Sequence, residues 1–322
     1  MKYLYVLVSS ENDYYAEQAL LSVFSLRKYN PDAFISFLVD TETESYLQTS
    51  LPNLLSYVNE LKIVELPCIT NKEKSRILKT SMRDYVEGDF LFIDCDTIIC
   101  DDLSDIVKIN CDMSCVLDTH VGMDNHTFRD AIITNYNLCD FKEALIDNSH
   151  FNSGVIYCKD NERTRKFFKD WRIFWEKGSK NGVIIDQPSF NQANILNNKI
   201  IVELSGEWNC QLIHGGVKYL SNARIIHYFS SINNNYGNPF IVNNKDIFQE
   251  IKKNGEITSQ LRELLDAPRQ LIEINSTLLG CEVPRVVLYQ APIREIIYLF
   301  KNHKHIYNFF RYVFYALEKF HR

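Results

Sequence analysis

The chain has 322 residues and is short of several things that mark large protein classes. It carries no excess of basic charge. The formal net charge is −6, which argues against a nucleic-acid protein, whose binding face is basic. No apolar run reaches the roughly 18 residues that a membrane span needs. Nine cysteines are present but no pair of C-x-x-C elements, so a structural zinc site has no ligand set. The number is odd, and Cys95, Cys115 and Cys158 fall inside strand-like runs, which reads as reduced, buried thiols of a cytosolic protein. Residues 1–8, with one Lys, a short apolar stretch and no small-residue cleavage pattern, read as a first strand rather than as a signal peptide. There is no internal repeat and no low-complexity segment. Nor is there a glycine-rich phosphate loop with a basic residue near the first strand, which argues against a nucleotidyltransferase.

What is present is an alternation of strand and helix signals. At 46% hydrophobic, the chain suffices for one large domain or a domain with an appendage. Strand-like runs at 3–8, 34–39 and 61–66 are separated by helical patterns. The clearest runs through Leu20, Leu21, Phe24 and Leu26 and ends at Asn30-Pro31. Residues 71–86 read as a helix with Asn71 as N-cap. This order predicts an α/β fold with a mostly parallel, doubly wound sheet. Further strands are expected at 112–117, 155–158 and 224–229, and a helix at 162–175. The polar stretch 118–149 reads as an inserted lid or acceptor-side segment, and the Asn- and Ser-rich stretch 230–238 as a linker. Two domains are expected, 1–235 and a helical extension 236–322.

The chemistry concentrates at Asp94-Cys95-Asp96, directly after Phe90-Leu91-Phe92-Ile93. Side chains alternate along a strand, so Asp94 and Asp96 are expected on one side, just past the C-terminal edge where open α/β sheets bind ligands. Two such carboxylates repel unless a divalent cation lies between them and a ligand, which suggests a metal-held diphosphate. Further features stand in line with this motif. The loop after the first strand holds Asp13, Tyr14 and Tyr15, where an aromatic can stack on a base. Arg76 and Lys79 lie on the helix feeding the Asp-x-Asp strand. Phe151-Asn152-Ser153-Gly154 puts an amide, a hydroxyl and a flexible glycine at a strand entrance. Asp186-Gln187 precedes a helix-like run, and His227 closes the strand begun by Ile225-Ile226. Each has a plainer reading: Asn152 and Gly154 as a β-bulge, Asp186 as a helix cap, His227 as a core histidine, the tyrosines as packing aromatics.

Taken in order, Arg76-Ile77-Leu78-Lys79, Asp94-Cys95-Asp96, Phe151-Asn152-Ser153-Gly154, Asp186-Gln187 and His227 follow the landmarks of glycosyltransferase family 8. The chain resembles that family, typified by glycogenin and the bacterial lipopolysaccharide galactosyl- and glucosyltransferases, over about residues 1–230. The resemblance implies a GT-A fold: Rossmann-like, with a mixed, mainly parallel sheet flanked by helices. It implies a UDP-sugar donor and retention of the donor's anomeric configuration. It assigns Asp94, Asp96 and His227 to Mn²⁺, with Mg²⁺ as the alternative; a set containing an imidazole suits manganese better. Donor contacts are implied for Ser9, Asp13, Tyr14, Tyr15, Arg76, Cys95, Ser153 and Gly154. A catalytic group of Asn152, Asp186 and Gln187 is implied, with Asp118 on the acceptor side. One departure stands out. His227 leads into Tyr228-Phe229-Ser230-Ser231-Ile232, without the family's following Gly and Lys-Pro-Trp, so the diphosphate-binding lysine is unassigned.

The implied activity is Mn²⁺-dependent transfer of a hexose to a glycan or glycolipid, in cell-surface polysaccharide or lipopolysaccharide synthesis. Two other functions stay open. One is a non-catalytic scaffold on a sugar-nucleotide fold. The other is a phosphatase of haloacid-dehalogenase type, where the first Asp is a nucleophile; against it, Thr97-Ile98 follows the motif and three strands precede it.

The C-terminus has its own character. Residues 291–322 hold six Lys/Arg against Glu295 and Glu318, a net +4 that leaves −10 on the rest. On a helix from Ile306, the residues Ile306, Phe309, Phe310, Val313, Leu317 and Phe320 form one stripe. Lys301, His303, Lys304 and His305 precede it. An aromatic apolar face beside cationic residues is expected to lie in an anionic membrane interface. That places the protein in the cytoplasm, peripheral on the inner face of the membrane, beside a lipid-linked acceptor. The alternative is packing on the catalytic domain or a second subunit.

Overall fold

The computed structural model describes residues 1–229, 240–271 and 291–321, and divides into two units, Met1–Leu278 and Leu279–Arg322. The expected boundary at 235 and the linker 230–238 lie outside the described residues.

The first unit is built on a seven-stranded sheet of order β3-β2-β1-β4-β7-β6-β8. Its strands are β1 (Lys2–Leu7), β2 (Phe34–Asp40), β3 (Glu60–Val64), β4 (Phe90–Ile93), β6 (Met113–Cys115), β7 (Val155–Cys158) and β8 (Ile201–Glu203). Neighbours pair in parallel except at β7, which runs against both β4 and β6. A second sheet joins β5 (Thr97–Ile99), β10 (Ile225–His227) and β9 (Cys210–Gln211), in that order. The sheet is therefore mainly parallel, as the alternating pattern predicts, and mixed through β7, as the resemblance implies. β5, β8 and β9 are two or three residues long, too short for a periodic signal, and the sequence pattern misses them.

Alternation along each strand splits the core in two. Tyr3, Tyr5 and Leu7 of β1 enter one apolar cluster, Leu4 and Val6 the other. On β4, Leu91 and Ile93 take the first cluster, Phe90 and Phe92 the second. Helix α1 (Tyr15–Tyr29) fills the first side. Helices α4 (Asn71–Thr80), α8 (Glu162–Lys180) and α9 (Gln187–Leu196) cover the second. The segment expected as an insertion, 118–149, carries helices α6 (Arg129–Cys139) and α7 (Lys142–Leu145), whose Tyr136 and the nearby Phe141 form a small third core with Val183.

The start of α4 differs from expectation by one residue. Thr70, not Asn71, is the N-cap, in a capping box with Glu73. The Glu73 N–H donates to the Thr70 hydroxyl and the Thr70 N–H to the Glu73 carboxylate. A Thr-x-x-Glu spacing satisfies two orphan donors at once, which Asn71 cannot. The helix also stops at Thr80, and Ser81 separates it from the short turn Met82–Tyr85.

Residues 240–271 belong to the first unit, where Phe240, Phe248 and Leu261 join the α1 side of the core. The second unit holds helices Ala291–Asn302 and Lys304–His321, linked through the edge contact of Phe300 with Tyr307. On its apolar stripe Phe309 is 63% exposed and Leu317 50%. Tyr312 and Tyr315 on the other side are 75% and 58% exposed. The side chain of Phe320 lies outside the described residues. Among the described residues, no helix is long and apolar enough to cross a membrane.

Candidate active site

The strand order turns at β1. The chain first builds outward through β2 and β3, then crosses to β4 on the other flank. Open α/β sheets bind ligands in the crevice at such a switch, outside the carboxyl ends of the strands. Ser9 and Asp13 follow β1 there, and Asp94 follows β4.

Asp94 and Asp96 converge, but not as neighbours on a strand. β4 ends at Ile93 and β5 begins at Thr97 in the other sheet, so Asp94-Cys95-Asp96 is the bend that carries the chain across. The Thr97 hydroxyl closes it by donating to the Asp94 carbonyl at 2.8 Å. Cys95 points the opposite way, its thiol against the Val6 carbonyl, and burial pushes that thiol well up. Two ladders then bring the partners. Pairing of β4 with β7 continues through the Asp94 N–H to the Gly154 carbonyl at 2.8 Å. Pairing of β5 with β10 sets His227 opposite Thr97.

His227 Nε2 lies 3.2 Å from Asp96 Oδ1. One ligand atom each of Asp94, Asp96 and His227 lies within 4.8 Å of the others, the metal-sized cluster found among the described residues. Burial raises the Asp94 carboxyl above its ordinary range; Lys79 opposes this and Asp96 adds to it. Burial would push His227 down, but the charge and hydrogen bond of Asp96, with Asp94, outweigh it and leave the imidazole raised. The set therefore holds crowded negative charge that a divalent cation would relieve, with two hard oxygens and one nitrogen. The residues fit such an ion.

Beside this cluster stands a second one. Lys79 Nζ lies 3.2 Å from both oxygens of Asp94 and 3.3 Å from Asp186 Oδ2. Arg76 Nε lies 2.9 Å from Asp186 Oδ1, and the Ser153 hydroxyl donates to Asp186 Oδ2 at 2.7 Å. Burial alone would raise Asp186, yet Lys79, Arg76 and Ser153 hold it well below the usual carboxylate range. Asp186 occupies the N-cap position of α9 without capping it by its side chain. The carboxylate faces the cations instead, which excludes the plain cap reading. Gln187, half-buried, begins α9 next to it.

Asn152 is fully engaged. Its Oδ1 accepts from the Gly154 N–H and from Asn209, and its Nδ2 donates to Asp118 Oδ1 at 2.8 Å. Burial would raise Asp118, but hydrogen bonding to His126 and the charges around it hold it far below its ordinary range. Gly154 is required for space: a Cβ there would sit 2.5 Å from His227 Cε1 and 2.9 Å from Asp94 Oδ2. That close approach, not a bulge, explains the glycine.

The two tyrosines divide. Tyr14 packs against Phe248 and under Lys252. Tyr15 stays 43% exposed; burial raises its hydroxyl, and the charges of Asp13, Asp96 and Arg76 all reach it. Asp13 shapes the loop: it accepts from the Ser9 and Ser10 hydroxyls and from the Ser10 and Tyr15 N–H groups. Ser9 in turn accepts from the Ala16 N–H at the start of α1. Ser9 and Asp13 thus hold the loop together, Tyr14 packs on residues 248–252, and Tyr15 is the more exposed of the two tyrosines.

Two residues to which the sequence reading gives no metal, donor or catalytic role are central: Lys79, named there beside Arg76, and Asn209. Lys79 had a signal: it lies three residues after Arg76, hence on the same helix face. Asn209, fully buried in the turn Gly206–Asn209, had none.

A mainly parallel sheet with its acidic bend at the switch point, a small crossing sheet and flanking helices together make the GT-A architecture of nucleotide-sugar transferases. The glycosyl transferase family 8 model matches residues 6–233, and the chain belongs to that family. It is a glycosyltransferase. Among solved structures, an active-site mutant of LgtC is similar with a TM-score of 0.54 at 14% identity, over 81% of this chain and 99% of that one. The galactosyltransferase LgtC in complex with donor and acceptor sugar analogues gives 0.49 at 13%, over 82% and 99%. Mouse xyloside xylosyltransferase 1 gives 0.47 at 12%, over 70% and 97%. No curated protein sequence matches the chain.

Proposed function

We propose that the protein is a retaining hexosyltransferase that uses a UDP-sugar donor and a divalent cation, Mn²⁺, to extend a glycan or glycolipid. The observation that carries this reading is the convergence of Asp94, Asp96 and His227 within 4.8 Å at the sheet's switch point. These three would hold the ion, which supplies Lewis-acid stabilisation of the departing diphosphate. Tyr15, exposed on the loop after β1, stacks on the uracil. Arg76 and Lys79 approach the donor from α4. Lys79 is the candidate for the diphosphate lysine that the segment after His227 lacks. Asp186, kept ionised by Arg76, Lys79 and Ser153, accepts hydrogen bonds from donor-sugar hydroxyls. Asn152 and Gln187 flank the reacting face, and Asp118 stands on the acceptor side. The second unit, with its bare aromatic stripe and basic residues, holds the protein on an anionic membrane carrying a lipid-linked acceptor.

The test is UDP release from a panel of UDP-sugars with and without Mn²⁺. Release of UDP from one donor, lost in Asp96→Ala with the fold intact by circular dichroism, is the expected result. Undiminished turnover in Asp96→Ala refutes the metal assignment, and an inverted anomer in the first-formed product refutes retention.

A further inference from the structure

A chain of buried side chains runs from the carboxylate cluster to Asp118, and its direction is set by two backbone donors. The Gly154 N–H donates to Asn152 Oδ1 at 2.9 Å, so Asn152 must present its NH₂ to Asp118, which it does at 2.8 Å. The Asn209 NH₂ donates to the same Asn152 oxygen at 2.9 Å. Asn209 therefore turns its own oxygen to His227 Nδ1, 3.1 Å away, and that nitrogen carries the proton. Nε2 faces Asp96 Oδ1 at 3.2 Å and donates to it while it carries a proton; without that proton its lone pair is the one left for a metal. At the far end the Phe128 N–H donates to His126 Nδ1 at 3.0 Å, so His126 Nε2 donates to Asp118 Oδ2 at 3.0 Å. From His227 Nδ1 to His126 every step pairs a donor with an acceptor. Asn209 is 0% exposed, and His227 and Asn152 are 3%.

We propose that Asn209 is a positioning residue that fixes the tautomer and plane of His227 for the metal and ties the metal side of the site to the acceptor-side carboxylate Asp118. The proposal rests on the metal reading given above. A ligand histidine needs its second nitrogen held, because the held nitrogen decides which one offers a lone pair. The amide does both jobs, accepting from His227 and donating to Asn152, which an apolar side chain or a carboxylate cannot. Changing Asp118 is then felt at the metal although Asp118 does not touch it.

Mn²⁺ binding to the purified full-length protein, followed by the loss of the free-ion EPR signal, tests this without any turnover. Asn209→Leu, which fills the space but holds nothing, is expected to weaken Mn²⁺ about 10- to 100-fold. Asn209→Asp keeps an oxygen for His227 and is expected to stay within about threefold of wild type. Asp118→Asn is expected to weaken Mn²⁺ about threefold in the wild-type background and to have no effect beside Asn209→Asp, whose carboxylate has no proton for Asn152. Wild-type affinity in a folded Asn209→Leu protein overturns the proposal. So does equal weakening in Asn209→Asp and Asn209→Leu. If Asn209→Leu does not fold, the Asp118–Asn209 pair decides: additive effects overturn the link. A wild-type protein that binds no Mn²⁺ removes the metal reading and this inference together, whereas binding that ignores all three substitutions removes this inference alone.

Discussion

At the scale of the residue, two positions turn geometry into measurable consequences. Gly154 has no room for a methyl group between His227 and Asp94. Gly154→Ala is expected to cost about 1–3 kcal/mol of stability through overpacking. By displacing the ligands it should also cut turnover about 100-fold or more, the usual toll of a misplacement near 1 Å. Urea unfolding and UDP release measure the two effects. His150 is the second. It is buried with Nδ1 on the Tyr136 hydroxyl at 2.7 Å, and burial pushes it down to about 4, Asp118 opposing. The unfolded chain takes up this proton near the ordinary histidine value, about 6.5, and the folded chain resists until about pH 4. The unfolded state thus binds more protons in that window, so stability falls as pH drops from about 6.5 to 4, by about 1.4 kcal/mol per unit and about 3 kcal/mol in all. Below that the contribution is flat. His150→Asn keeps an acceptor for Tyr136, and its unfolding free energy should fall less steeply between pH 6.5 and 4. An unchanged slope in urea titrations would contradict this.

At the scale of the element, α4 is where local sequence and chemistry meet. The capping box of Thr70 and Glu73 starts the helix, and two turns later the same helix delivers Arg76 and Lys79 to Asp186 and Asp94. Thr70→Ala removes the hydroxyl that accepts from Glu73 and should cost about 1 kcal/mol. Amide exchange should quicken in the first turn of α4 and leave α8 and α9 unchanged. Asp186 carries the converse lesson. It has the position of a helix cap and no side-chain cap hydrogen bond, because the charges of Arg76 and Lys79 outcompete the neutral N–H groups of the first turn for a buried carboxylate.

At the scale of the whole molecule, the charge is divided. The residues 291–322 carry net +4 and the remainder −10. The helices Ala291–Asn302 and Lys304–His321 expose Phe300, Phe309, Tyr312, Phe314 and Tyr315. So much bare aromatic surface on a helix with basic neighbours suits a bilayer interface, with about 1 kcal/mol from anionic headgroups per nearby Lys or Arg. The full-length protein is expected to sediment with vesicles containing anionic lipid at low salt, and a chain lacking residues 291–322 to stay in solution. Full-length protein that ignores such vesicles would assign the stripe to packing against protein.

The amino-acid sequence by itself determined the elements and their kind. The alternation in Tyr3-Leu4-Tyr5-Val6-Leu7 and in Phe90-Leu91-Phe92-Ile93 set which side chains face which layer of the core. The order of strands and helices set a parallel α/β sheet, and the order of landmarks set the family. These are readable because side-chain direction has a period of two on a strand and 3.6 on a helix. Tertiary structure alone decided the site. Asp94 and Asp96 converge because the chain bends between two sheets, and His227 joins them because β10 pairs with β5. Which tyrosine stays exposed, what Asp186 pairs with, and that Asn209 bonds His227 were likewise settled by contacts between residues far apart in the chain. Such contacts follow from which strands pair and which loops cross, and no local period records them.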